Sequence, residues 1–482
     1  MGISSHEPQH HSHPFDSGSK MEETRAILAR DEIIERSSSD YDKESKVWSA
    51  HKNKHPQLVA RPKSIESLSR LLKLLNKTDI DFDVRCGGCG SASASGVLIS
   101  MSAFDGFEFS KEEETVIIGA GQLWRHVDAK VEEFAPGYSV PGARCPYVGV
   151  GGGTLQGGVS WMSSEFGLTS DPQNMLDAQV VKMNGDVLWA SQDPELLWAL
   201  RGGGGRFGVV TALKLKAYKY PKTVYSGMIL YPREALSALA KAVPAFADRN
   251  TDPKIAVHFY CLDMTQGAFV GKPSVPGLGL LVYDAHGEEH GRSEQGFKWA
   301  LDIPGATDTT AAMSYRQVNA LSDSIEAIRG ETNQMMTGVV VPIVTEDLIL
   351  RTWKWFDETL VWEPKLNAGT FVLIEIMQSN AFNTVKSRSA TGWPRPDGRH
   401  ILQLGCGALN RECTEELHRK AIKALAEGAE QILDRYSVSD CLPRDFEEFH
   451  DPVEMFGENV EKLRAIKKRV DPKNRLKGAY SI

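Results

Sequence analysis

The stretch RCGGCGSASASG, residues Arg85 to Gly96, admits two readings. Cys86 and Cys89 stand in a C-x-x-C pair, the spacing of zinc and redox sites. The same residues are also a loop of small side chains whose backbone N–H groups could cradle phosphate. The rest of the chain decides between them, and with them the fold.

Glycine is the informative residue. The chain has 43, many of them clustered between Arg85 and Gly208. Such clusters bring backbone close to something, or make repeated tight turns. Three glycine regions stand beside strand-like or helix-like segments: the opening stretch, ARCPYVGVGGGTLQGGVSWMSSEFGL, and LRGGGGRFGVV. Together they point to a large, phosphate-bearing cofactor. Familiar alternatives fail on spacing. No G-x-x-x-x-G-K-[ST] makes a P-loop. G-x-G-x-x-G occurs only in broken form, at Gly149, Gly151 and Thr154, and does not open a βαβ unit. No H-E-x-x-H appears, no second C-x-x-C completes a zinc site, and no G-x-S-x-G marks a hydrolase.

Bulk properties narrow the class. A chain of 482 residues is too long for one compact core. A net charge of −8 argues against nucleic acid as a partner. No apolar run reaches the ~18–20 residues that span a bilayer. The start lacks the apolar core of a secretory signal, so a cytoplasmic location is expected. Seven scattered cysteines make no disulfide scaffold, and no metal site is expected. Residues 1–20, polar and holding His6, His10, His11 and His13, read as a disordered tail.

Periodicity gives the elements. SIESLSRLLKLLNKT is a helix capped by Ser64. FDVRCGG is a strand running into the first glycine loop; VLISMS and TVIIGAG are further short strands. QLWRHVDAKVEEF is an amphipathic helix, and LDAQVVKMNGDVLWA a hairpin turning at Asn184-Gly185. PELLWALRGGGGRFGVVTALKLKAY gives a short helix, a loop and a strand. After about Tyr220 the glycines thin out. REALSALAKAVPAFADR and TEELHRKAIKALAEGAEQILDRY then alternate with the strands KIAVHFYCL, GLGLLVYDA, GTFVLIEIMQ and HILQLGCGAL, an α+β texture. GENVEKLRAIKKRVDP closes the chain as a basic helix.

Four motifs in order now carry a resemblance: Arg85–Cys89, CPYVGVGG at 145–152, LWALRGGGGRFGVVT at 197–211, and FGENVEKLRAIKKRVDP at 456–472. Over residues ~50–482 the chain resembles the vanillyl-alcohol oxidase (PCMH-type FAD-binding) superfamily, and within it the berberine-bridge-enzyme-like branch. The resemblance implies an α+β fold in three parts. An FAD-binding domain would span 46–220, a central antiparallel-sheet substrate domain covered by helices 221–439, and a segment at 440–482 would complete the FAD domain. It implies FAD, a small organic substrate and dioxygen, with hydride passing to flavin N5 and hydrogen peroxide as product. Arg85, Cys86, Gly87, Gly88, Cys89, Gly90 and Ser91 would form the pyrophosphate loop. Val148, Gly149, Gly152, Gly153 and Gly158 would pass along the isoalloxazine, Val209 would support the adenine side, and Asn459 would approach from the tail. Oxidative dehydrogenation or ring closure in natural-product biosynthesis is the implied role; a redox-neutral cyclase or isomerase is the alternative.

Departures from the family pattern matter. Relatives attach FAD through a histidine where Cys89 stands and through a cysteine where Cys145 stands, so a single link through Cys145 is expected, with noncovalent FAD as the alternative. Val148 is small enough to favour dioxygen access. Gly153 replaces a frequent histidine, and Met455 replaces a frequent tyrosine base; methionine takes no proton. Glu375, the one carboxylate in FVLIEIMQ, is the candidate base, because an apolar surround would raise its pKa. A salt-bridged structural glutamate is the other reading. Tyr147, Trp161, Gln378 and Gln403 are candidate substrate contacts or core residues, and His258 reads as a core histidine.

Overall fold

The computed structural model describes residues 14–264, 275–378, 385 and 387–478. His6, His10, His11 and His13 lie outside the described residues. A helix runs over Pro14–Ala26, overlapping the last residues of the tail expected at 1–20. No helix among the described residues is long and apolar enough to cross a membrane.

Three larger sheets and one two-stranded pair, Tyr138–Ser139 with Tyr218–Lys219, build the described residues. A four-stranded sheet has the order Ile33–Glu35, Leu58–Ala60, Val97–Ser100, Phe82–Arg85. Its last three strands run parallel. The helix Ile65–Leu75 connects two of them and buries Leu68, Leu71, Leu72 and Leu75, its leucine stripe. The Ser64 hydroxyl accepts from Ser67 N at 3.1 Å and caps it, as the sequence predicts. A five-stranded antiparallel sheet follows, ordered Phe107–Ser110, Thr115–Gly119, Val209–Lys216, Met175–Val181, Val187–Trp189. Gly185 turns its predicted hairpin at φ +83°.

The third sheet has eight antiparallel strands. Its centre reads Pro276–Asp284, Ile255–Asp263, Phe371–Met377, His400–Cys406, Met335–Val341. Alternation along these strands sorts the side chains. One face takes Val257, Phe259, Ile374, Ile376, Leu402 and Leu404, all fully buried. The other takes His258 and Tyr260, then Leu373 and Glu375, then Ile401 and Gln403, because His258 pairs with Glu375, Tyr260 with Leu373, and Leu373 with Gln403. The helices Leu236–Arg249 and Glu346–Trp362 pack on one another, with Glu415–Ile432 beside the second.

The last segment returns to the first half of the chain. Lys467 Nζ, buried in the helix Val460–Val470, donates to Arg206 O at 2.7 Å and to Leu476 O at 2.6 Å. Arg475 donates to Leu75 O at 3.2 Å and Ile80 O at 2.6 Å. Residues separated by hundreds of positions thus close one structure.

Candidate functional site

The glycine regions meet. The Phe82–Arg85 strand ends at the first loop, which crosses onto the second region where Gly87 and Gly149 touch backbone to backbone. A Cβ on Gly87 would stand 2.6 Å from Gly149 Cα, and one on Gly149 would stand 2.8 Å from Gly87 Cα. No side chain fits there. Gly151 has the same reason, since a Cβ would come within 2.7 Å of Cys86 Sγ. Gly88, at φ +71°, and Gly158, at φ +72°, adopt a backbone conformation that glycine alone takes readily.

A cleft of about 350 Å³ opens where these regions converge. Its lining takes Cys86 to Ser91 from the first loop, Val148, Gly149, Gly152, Gly153 and Gly158 from the second, and Gly204 to Arg206 from the third. Val209 and Leu476 close one end, and Arg144, Met336, Gln403, Arg444 and Asp445 form the far wall. The cleft therefore joins the glycine loops, the polar face of the eight-stranded sheet and the returning tail.

Two glycines on this lining differ from the rest. Gly90 and Gly152 are exposed, have ordinary φ, and an added Cβ on either would meet no atom within 4 Å. Nothing in the protein requires glycine there. A flat or phosphate-bearing group lying against the backbone would, and FAD has both parts. The residues present fit that cofactor: backbone of 86–91 for phosphate, of 149–153 for the ring, and Val209 with Leu476 for the apolar end. Gly152 sits in the helix Val150–Leu155, a glycine-rich stretch that periodicity does not mark as helical.

The thiols of the C-x-x-C pair have separate partners. Cys86 Sγ packs against Gly151. Cys89 Sγ donates to Tyr147 O at 3.2 Å and lies 3.5 Å from Arg329 Nη2. Burial pushes the Cys89 thiol up to about 12. Arg329 also donates to Gly87 O and to Tyr147 O, so it ties both glycine regions to the segment before the Met335–Val341 strand. Arg85 opens the loop, but its guanidinium points away from the cleft, to Lys43 O at 3.1 Å and Glu44 at 3.7 Å.

Other predicted residues are distributed unevenly. Cys145 is half-buried and does not line the cleft, and the side chain of Tyr147 stands beside it. Tyr147 is buried and stacks on Trp48 at 5.2 Å. Trp161 is buried between His258, at 4.2 Å, and Tyr283, at 5.3 Å. Gln403 lines the cleft and its amide donates to Asp445 at 3.3 Å. Gln378 is fully buried, and its amide has no hydrogen-bond partner among the described residues. Asn459 is buried and donates to Thr391 O at 3.0 Å and Gly392 O at 3.2 Å, so its amide holds a loop and does not line the cleft.

Glu375 is fully buried, but not in the apolar surround that its strand suggests. Arg144 pairs with its carboxylate, and Arg444 Nη2 approaches it at 3.4 Å. The strand neighbours are apolar; the arginines come from the second glycine region and from the tail. His258 Nε2 lies 3.5 Å from Arg144, and its Nδ1 is 3.2 Å from the Tyr260 hydroxyl. Burial, then the charges of Arg144 and Arg444, drive the His258 imidazole well below its ordinary pKa, so it is neutral. Sequence reasoning missed Arg144, Tyr260, Arg329, Arg444 and Asp445. Arg144 had a signal, its place beside Cys145; the others are brought to the site by chain segments far apart.

Comparisons agree with this geometry. A family model described as an FAD binding domain matches residues 56–191, and one described as berberine and berberine like matches 444–482. The FAD-linked oxidoreductase aurO of Gibberella zeae is 27% identical over 456 residues, 91% of this chain and 83% of that protein. An uncharacterised FAD-linked oxidoreductase of Arthroderma benhamiae is 27% identical over 296 residues, so this chain spans 56% of its length. The crystal structure of 6-hydroxy-D-nicotine oxidase from Arthrobacter nicotinovorans has the same fold, with a TM-score of 0.77, 22% identity, and coverage of 95% of this chain and 98% of that one. The chain carries an FAD binding domain in its first half and is similar to FAD-linked oxidoreductases. Its closing segment is of the berberine-like kind, and its fold is that of berberine bridge enzyme, with a TM-score of 0.76 and 17% identity.

Proposed function

We propose that the chain works as an oxidase, with FAD laid across the glycine loops, a small organic substrate held between the flavin and the polar face of the large sheet, and dioxygen as the electron acceptor. The observation that carries this reading is the pair Gly90 and Gly152, whose missing side chains open onto the cleft. FAD, when bound, accepts a hydride from substrate and returns the electrons to dioxygen.

The chain's own residues supply the rest. Residues 46–220 with 440–482 form the cofactor domain, and 221–439 the substrate domain. Main-chain N–H groups of Cys86 to Ser91 bind pyrophosphate, without a cationic side chain inside the loop. Val148 is half-buried on the cleft lining, and its small side chain would leave space beside the ring for dioxygen. Cys145, outside the lining but next in the chain to the lining residue Arg144, would be the point of covalent attachment, and Cys89 would stay a neutral thiol in place of a second one. Glu375 anchors Arg144 and Arg444 and so sets the far wall; Gln403 extends that wall. A substrate that is already acidic or electron-rich needs no stronger base, which suits a site with Met455 at the usual tyrosine position.

The test is the visible spectrum of the purified protein, before and after acid precipitation. Yellow protein whose colour stays with the pellet is expected. Colour released into the supernatant overturns the Cys145 link, and a colourless protein that takes up no FAD overturns the whole reading.

A further inference from the structure

Arg144, Arg444 and Asp445 line one wall of the cleft, where the cations are the more exposed charges and Glu375 is fully buried behind them. The side chains of Arg144 and Arg444 are 9% and 21% exposed. Their counter-ions are set deeper: Glu375 is 0% exposed and Asp445 6%. Arg444 directs Nε to Asp445 at 3.3 Å and Nη2 to Glu375 at 3.4 Å, and no hydrogen bond engages its Nη1 among the described residues. Gln403, the neighbouring polar side chain, also turns its amide N–H toward Asp445, at 3.3 Å.

The packing explains why the carboxylates cannot turn outward. Glu375 sits mid-strand in the large sheet, with His258 paired to it on one side and Ile401 on the other. Asp445 is seated on Gly338, where a Cβ would stand 3.2 Å from its Cγ. The arginines reach these anions from in front, at Arg144 in the second glycine region and at Arg444, where the berberine-like segment begins. Burial, then the like charge of Arg444, lowers the pKa of Arg144; a second positive group in front of the carboxylates is felt there. Guanidinium groups with N–H donors to spare bind planar oxyanions through paired charge-assisted hydrogen bonds.

We propose that Arg144 and Arg444 are the substrate-recognition residues of this enzyme, and that the substrate presents an oxyanion to them, a carboxylate or an ionised phenol or enol. Glu375 and Asp445 are positioning residues that aim the two guanidiniums into the cleft. The inference deepens the oxidase reading and rests on it.

The test uses the FAD-loaded enzyme, with flavin absorbance as the readout of binding. Two matched probe pairs are titrated: benzoate against benzamide, and 4-nitrophenolate against 4-nitroanisole. At least one anion is expected to perturb the flavin spectrum with a Kd tenfold or more below that of its neutral partner. A preference in the first pair alone assigns a carboxylate, and in the second alone a phenolate. Arg444→Gln is expected to abolish the preference while flavin content stays at the parent level, and Arg444→Lys to restore it in part. Equal binding within both pairs, including no perturbation by any probe, overturns the proposal. So does an Arg444→Gln enzyme that keeps the preference. A chain that holds no flavin fails earlier, and that outcome sinks the oxidase reading instead.

Discussion

Gly152→Ala should move the stability of the free protein and its grip on FAD in opposite directions. Gly152 lies inside the helix Val150–Leu155 at ordinary φ, is exposed, and an added Cβ meets nothing within 4 Å. Alanine is favoured over glycine in a helix interior by roughly 0.8–1.0 kcal/mol, so the cofactor-free variant should gain up to about that much. On the proposed placement of FAD, the new methyl would lie where the ring lies. Overpacking of that kind costs about 1–3 kcal/mol, or roughly 5- to 150-fold in Kd. Gly87→Ala is the control. Its Cβ would sit 2.6 Å from Gly149 Cα, a backbone atom that cannot swing aside, so it should destabilise the protein with or without FAD. Thermal melts of both variants, with and without saturating FAD, read the two effects, because FAD raises Tm in proportion to RT ln(1 + [FAD]/Kd). A Gly152→Ala protein that binds FAD as tightly as the parent refutes the placement of the ring. One that is as unstable without FAD as Gly87→Ala refutes the claim that only a ligand requires glycine there.

Two further predictions follow from buried charge. Glu375→Gln leaves Arg144 and Arg444 facing each other with their shared anion gone; removing one partner of a buried pair costs about 3–5 kcal/mol. A large fall in the denaturant midpoint is expected, and a variant of unchanged stability with only kcat lowered would instead make Glu375 a free base. Asp128 is buried beside Asn319, whose amide donates to it at 2.8 Å, and burial pushes its carboxyl up to about 7. Its folded-state pKa is raised, so its contribution is fully present below about pH 4 and is lost as pH rises through about 7, on the order of 4 kcal/mol in all. Unfolding free energies from pH 4 to 8 should show that decline in the parent and not in Asp128→Asn; parallel curves would refute it.

Much was legible in the sequence because it is local. A leucine stripe with Ser64 before it makes a capped helix wherever it sits, and Asn184-Gly185 between alternating runs makes a hairpin. The glycine regions and the berberine-like ending identified the cofactor fold, since close backbone approach to a ligand restricts residue type along short stretches. The same restriction could not say which glycines serve the ligand. Gly87 and Gly90 look alike in RCGGCG, yet one packs on Gly149 and the other opens into the cleft. That distinction depends on what stands opposite each Cα, and the opposing residues are distant in sequence. The environment of Glu375 was decided the same way. Its strand is apolar, and the expectation of an apolar surround followed from that. Arg144 and Arg444, from segments 300 residues apart by their numbers, supply the charges that its strand lacks. Sequence alone determined most elements, the cofactor class and the glycine loops that meet at the cleft, because those rest on backbone conformation and short-range pattern. Only the tertiary structure decided which side chains line the cleft, because long-range packing sets which charges are exposed there and which are buried.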